Sequence, residues 1–264
     1  MTGRTRAWLP PVLVVVALAL AWEAAVRVLE LPDYLLPAPS EVLGALVADA
    51  GLLAVAARAT ASTALVGLAL GAGAGVALAV AMGASDRVRA ALYPLAVVSQ
   101  SIPMVVLAPL FVVWFGFGLL PRVLVVALIA FFPVTLATVA ALLSADRDQV
   151  DLLRAMGASR SEVVRHVLVP GALPGFFTGL TVAASYAMFG AVVAEWIGAS
   201  SGLGLYLERS RASFETAPMF AAVVVIAAVS VLLVAVVLLG QRLVLPWQAA
   251  ERSRARAARQ EGAW

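Results

Sequence analysis

The chain has no cysteine, no lysine and a single histidine, His166. Without cysteine there are neither disulfides nor thiolate ligands, and one imidazole is too few donors for a transition-metal centre. All 18 basic residues are arginine. A P-loop needs its lysine on the β- and γ-phosphates, so this chain cannot itself be a P-loop ATPase. Charge of either sign is scarce: 12% of residues are charged and 63% hydrophobic, whereas soluble domains carry about 25% charged residues. The net charge of +3 does not describe a nucleic-acid surface, because no basic patch is interleaved with aromatics. No nucleophile–base pair can be assembled, so bond chemistry, a cofactor and a metal are not expected.

What remains is hydrocarbon, with a mean hydropathy of +1.03. A membrane span needs about 20 apolar residues to cross about 30 Å of lipid. Six runs qualify, at 8–29, 59–82, 92–117, 122–143, 172–196 and 217–240. The expected fold is all-α and polytopic, one membrane domain over 1–246 with a polar tail over 247–264. The basic start and Ala19-x-Ala21 also suit a cleavable signal peptide, but the apolar run continues to Leu29, which favours a retained span. Between the first two runs, Ser40 followed by Glu41 reads as the start of a short amphipathic surface helix.

Three features stand out within the runs. Gly67, Gly71 and Gly75 recur every fourth residue, a spacing that lets a neighbouring helix approach closely. The third run is interrupted by "SQSIPMVVLAP", where Pro103 and Pro109 remove backbone donors. A broken helix survives in lipid only when packed in protein or lining a watery cavity, so Ser99, Gln100, Ser101 and Pro103 mark either a translocation path or a packed kink. Glu195, beside Trp196 at the end of the fifth run, is either a functional acid of the path or an interfacial residue in an aromatic belt. "GASSG" around Ser200 has the letters of a nucleophile elbow but lacks its strand-to-helix context and histidine base. It reads as a turn, with Gly202 and Gly204 supplying torsional freedom.

Arginine is distributed unevenly. With the N-terminus inside, the inner segments hold Arg4, Arg6, Arg87, Arg89, Arg147, Arg154, Arg160, Arg165, Arg242 and the tail arginines. The outer segments keep Arg27, Arg58, Arg122, Arg209 and Arg211. The positive-inside rule then predicts both termini in the cytoplasm, with the polar segment 145–170 on the same side. In that segment Leu152, Leu153 and Met156 share a helix face, Gly157 stops the helix, and Ser159-x-x-Glu162 is a capping box that starts another. Val163, Val164, Val167 and Leu168 form its apolar face, and Pro170 is expected to end it. Two short helices of this kind suit insertion into a partner; an ordinary charged loop is the alternative.

An acid, five residues, Gly157, nine residues, then Val167-x-Val169-Pro170 resembles the cytoplasmic signature of binding-protein-dependent ABC importer permeases. It opens here on Asp151-Leu152-Leu153 where the family has Glu-Ala-Ala. "LLPAPSEV", "SIPMVVLAPLFVVWFGFG", "FFPVTLATVAA", "MGASR" and "AEWIGASSGLG" follow in the order of the nitrate/sulfonate/taurine branch. The resemblance implies that Asp151, Leu152, Leu153, Met156, Gly157, Ser159, Glu162, Val167, Val169 and Pro170 couple to a separate ATP-binding subunit. It further implies an extracytoplasmic solute-binding protein and a second permease copy in the bacterial plasma membrane. "AEWIGASSGLG" and the C-terminal "LPW" look closer to relatives that handle pyrimidine precursors of thiamine. The competing class, a secondary transporter driven by an ion gradient, would need intramembrane ion-coupling groups and internal repeats, of which only Glu195 and the broken third run offer any sign.

Overall fold

In a computed structural model, which describes residues 3–247, apolar periodicity is realised as helix throughout. In chain order these are α1 (Gly3–Val28), α2 (Pro39–Ala48), α3 (Ala50–Ala84), α4 (Asp86–Ser99), a 3-10 turn (Met104–Leu107), α5 (Ala108–Phe115), α6 (Leu119–Leu143), α7 (Arg147–Ala155), α8 (Arg160–Val163), a π turn (Val164–Leu168), α9 (Val169–Glu195), α10 (Leu203–Ala212) and α11 (Thr216–Val244). Among the described residues, four helices are long and apolar enough to cross a membrane: α3, α6, the continuous run Arg160–Glu195, and α11. They contain the second, fourth and sixth expected runs, and the fifth but for its last residue, Trp196. The first run lies in α1, and the polar tail from 248 falls outside the described residues.

The third run departs from a single span. It divides into α4, the 3-10 turn and α5, of 14, 4 and 8 residues. Pro103 has no N–H to continue α4; the Ser99 carbonyl accepts from the Ile102 N–H instead, at 3.2 Å.

At the centre, α6 lies between α3 and α9, and its neighbours meet it with glycine. A Cβ on Gly71 would lie 2.2 Å from the Ala127 carbonyl oxygen, and one on Gly67 would lie 2.5 Å from Val126 Cβ. Gly75 approaches the Phe131 carbonyl in the same way. On the opposite side, Gly175 and Gly179 of α9 abut the backbone of Ala137 and Pro133. Lipid tails are as apolar as leucine, so helix association inside a bilayer draws on such contact rather than on water release. Buried hydroxyls in this core bond back to their own helices: Thr135 Oγ1 donates to Phe131 O at 2.7 Å and Thr63 Oγ1 to Ala59 O at 3.2 Å.

The outer elements dock on this triple. Trp22 of α1 meets Phe220 of α11 with ring centroids 5.7 Å apart. Val231, Leu232, Val236, Leu239 and Leu243 of α11 point away from the chain, as expected of a helix that is apolar all round and faces hydrocarbon. The surface helix α2 is capped two residues before Ser40, the expected cap. Ala38 is its cap residue and Pro39 its first, while Glu41 Oε2 accepts from the Ala38 N–H at 2.8 Å. Ser40 is drawn elsewhere. Its N–H and hydroxyl donate to Glu23 of α1 at 3.0 and 2.9 Å, which clamps α1 to α2.

Gly71→Ala is expected to cost about 1–3 kcal/mol by overpacking, seen as a lower melting temperature in detergent. Gly73→Ala, whose Cβ would meet nothing within 4 Å, should leave the melting temperature unchanged or slightly raised.

Candidate functional sites and family membership

The run Arg160–Glu195 has 36 residues and is about 54 Å long at 1.5 Å per residue. Two candidate regions therefore lie at opposite ends of one rod, with a third at the break near α4.

The first end is a hairpin of α7 and α8. Asp146 caps α7, accepting from the Asp148 N–H at 3.0 Å. The helix closes in a Schellman motif: the Gly157 N–H donates to Arg154 O at 2.9 Å and the Ala158 N–H to Leu153 O at 3.0 Å. Gly157 sits at φ +86°, where only glycine avoids strain. Ser159 and Glu162 make the reciprocal capping box. The Ser159 N–H donates to Glu162 Oε2 at 2.7 Å, and the Glu162 N–H to Ser159 Oγ at 3.4 Å.

What α7 presents is unusual for a polar helix. Leu152 is 61% and Met156 74% exposed, and a Cβ at Gly157 would meet nothing within 4 Å. Leu153 is half-buried, and the exposed Asp151 pairs with Arg154 at 3.8 Å, which contributes little at a solvated surface. Behind the hairpin, a cleft of about 520 Å³ reaches the α3–α4 corner, with Arg154, Arg160, Ser85 and Asp86 on its walls.

Pro170 does not end the second helix. The π turn Val164–Leu168 widens the backbone just before it, and the helix continues through Pro170 and Pro174 to Glu195. A proline in α-register would collide with the carbonyl four residues back; the extra residue in the turn relieves that collision. As a result α8 is rigidly continuous with a membrane helix. Val163 is buried, Val167 and Pro170 are half-buried, and Val169 is exposed.

At the break, Gln100, Ser101 and Pro103 are exposed and Ser99 is half-buried, its hydroxyl donating to Leu95 O at 2.7 Å. Gln100 and Pro103 line a pocket of about 330 Å³ with residues of α6 and α9.

Glu195 stands apart from these residues. It is 1% exposed, so its side chain lies inside the protein rather than on its surface, and it does not line that pocket. Its Oε2 accepts from the Thr60 hydroxyl at 3.0 Å and from the Gly204 N–H at 2.8 Å. Thr60 Oγ1 in turn accepts from the Leu203 N–H at 2.8 Å. The carboxylate thus sits on the N-terminus of α10, where unpaired N–H groups and the helix dipole favour negative charge. Gly202, at φ +135°, and Gly204 are required by this clasp. A Cβ on Gly202 would lie 2.2 Å from Glu195 Cδ, and one on Gly204 2.3 Å from Val192 O. Gly204 therefore serves close approach rather than the torsional freedom its neighbour uses.

A second tie holds α10. The Tyr206 hydroxyl donates to Asp49 Oδ2 at 2.5 Å, at the α2–α3 junction. Burial, followed by the adjacent Asp49 carboxylate, raises the Tyr206 hydroxyl above the usual tyrosine range. Sequence reasoning missed Thr60, Asp49 and Tyr206. Nothing local marks a threonine as the partner of a residue 135 positions away.

The family model for "Binding-protein-dependent transport system inner membrane component" matches residues 67–249. The chain belongs to this family. The permease is 36% identical over 241 residues to the formylaminopyrimidine transport permease protein ThiX of Halalkalibacterium halodurans, covering 91% of this chain and 96% of that one. It is 39% identical to the riboflavin transport system permease protein RibX of Chloroflexus aurantiacus, covering 86% of each. With the taurine transport system permease protein TauC of Escherichia coli it shares 34% identity over 63% of this chain and 61% of that one. Its fold matches a chain of the MetNI methionine ABC transporter in inward-facing form with a TM-score of 0.63, at 21% identity, covering 75% of this chain and 96% of the other. The permease is accordingly a membrane transport subunit of the ABC class, which sets aside the ion-driven alternative.

Glu195→Ala would strand the Gly204 N–H in the interior, at about 1–3 kcal/mol for the unsatisfied group, while the Thr60 hydroxyl keeps the Ala56 carbonyl as acceptor at 3.2 Å. Thermal denaturation in detergent should show a clear loss of stability for Glu195→Ala and a smaller one for Glu195→Gln, which keeps an acceptor oxygen in place.

Proposed function

We propose that this permease forms one half of the translocation path of an ATP-driven importer and that segment 145–170 transmits motion from a separate ATP-hydrolysing subunit. The reading is carried by one observation: the exposed apolar pair Leu152 and Met156 at the end of α7, beside Gly157, where an added Cβ would meet nothing within 4 Å. An apolar knob on a short, doubly capped hairpin suits a groove in a second protein. Asp151, Leu153, Ser159, Glu162, Val167, Val169 and Pro170 hold that knob on the end of α9, so a push on the hairpin is delivered along a membrane helix. With both termini in the cytoplasm, the arginine-rich hairpin faces the ATPase and the Glu195 clasp faces outward.

On this reading a solute-binding protein delivers cargo at the α10 end, and a second copy of the chain completes the path between the two permeases. Alternating access follows: ATP draws the two nucleotide-binding subunits together, the hairpins move with them, and the spans reopen across the membrane. The permease performs no bond chemistry. The relatives' names bracket the cargo as a small solute, either an ion such as taurine or a sulfonate, or a ring compound such as a pyrimidine.

The test is a gentle-detergent pull-down of the tagged chain from its own host. A P-loop ATPase should co-purify with wild type and be lost from Gly157→Asp, while both proteins reach the membrane in equal amount. Undiminished recovery of the ATPase with Gly157→Asp would refute the docking role.

A further inference from the structure

We infer that the pocket at the α4–α5 break is a contact site of the path that takes a planar, uncharged heteroaromatic ring rather than a small solute bearing a sulfonate or other ionised group. The inference rests on the transport reading above and narrows its cargo. The pocket of about 330 Å³ has Gln100, Ile102 and Pro103 on one wall, with Ile129, Phe132 and Pro133 from α6 and Tyr186 and Phe189 from α9. Its size is that of a small-molecule site.

Its chemistry is selective. The described lining carries no charged side chain. A sulfonate or nitrate entering it would give up hydration with no counter-charge in return, which is costly. Aromatic faces reward a flat ring instead. Tyr186 and Phe189 stand one helical turn apart on α9, 57% and 55% exposed, and are not engaged by the chain's own core. Both can stack on a heterocycle, an interaction that every nitrogen ring offers. Gln100 supplies a carboxamide, a donor and an acceptor side by side, which matches the alternating N–H and C=O or ring-nitrogen edge of a pyrimidine.

The break explains why such a group can stand there. Pro103 interrupts the α4 helix, and Pro133 lacks the N–H that would pair with the Ile129 carbonyl. Backbone interrupted at membrane depth requires protein or water around it. Gln100 and Ser101 lie exposed at that point, which suits a wet path closed by the second permease rather than a lipid-facing wall.

The chain has no cysteine, so one introduced thiol is the chain's only thiol. Tyr186→Cys and, separately, Phe189→Cys are prepared in the full complex purified from its host and reconstituted in lipid. Each is treated with a water-soluble, membrane-impermeant thiosulfonate while cytosine or taurine is titrated. The expected result is that the thiol reacts, that cytosine slows the reaction and that taurine does not. Adding Gln100→Leu to either variant should raise the cytosine needed for protection about tenfold, the scale of one lost hydrogen bond. A thiol that never reacts in either variant places these residues against lipid or the second copy and overturns the site. Protection by taurine equal to that by cytosine overturns the selectivity, and absence of protection by cytosine at about millimolar concentration, the upper end of common transport and enzyme affinities, overturns the ring assignment. None of these outcomes touches the ATPase pull-down, so failure of the pocket and failure of the importer reading are separable.

Discussion

Backbone-to-backbone contact along α6 holds the molecule together. In lipid, apolar side chains gain nothing by leaving solvent, so association depends on how closely helices can approach. Gly67, Gly71 and Gly75 from α3, and Gly175 and Gly179 from α9, bring two helices against α6 at distances that exclude even a methyl group. With three helices fixed at that spacing, α11 closes the core through Ala221 and Ala222. The α4–α5 break and the α10 cap are then carried on a rigid frame.

The same frame explains how two distant regions are joined. The run Arg160–Glu195 is helical from the capping box to the clasp, and its π turn keeps it so past two prolines. Displacement of α8 therefore has a stiff element to act on. At the far end, Glu195 is locked to Thr60 of α3 and to the start of α10, so the end of α9 cannot shift without carrying its neighbours. On the alternating-access reading proposed above, rigid members joined at a few polar contacts suit a switch between two arrangements, because packed cores move between discrete states rather than deform continuously.

Much of this was legible in the sequence. Long apolar runs, the four-residue glycine repeat, the Gly157 stop and the Ser159–Glu162 box are local signals, and local physics enforces them: hydropathy, steric access and unsatisfied N–H groups. The points of difference share a cause. Ser40 was expected to cap α2, but Glu23, 17 residues earlier, draws both of its polar groups away. Pro170 was expected to end a helix, but a wider turn costs less than breaking a rod that is packed along its length. For Glu195 the neighbouring tryptophan left two readings open, a path acid or an interfacial residue, while its surroundings are supplied by residues 60, 202 and 204.

Sequence alone thus determined the class of molecule: a lysine-free, cysteine-free bundle of membrane helices, unable to hydrolyse ATP through a P-loop and bearing a capped polar hairpin between its apolar runs. These properties follow from composition and from spacing within a single helical turn. Tertiary structure decided which glycines are contact points, which acid is buried and what partners it. It also decided that Gln100, Tyr186 and Phe189, drawn from two helices far apart in the chain, share one pocket. Such relations depend on where separate helices cross, and crossing is set by the fit of whole surfaces, which no local stretch of sequence encodes.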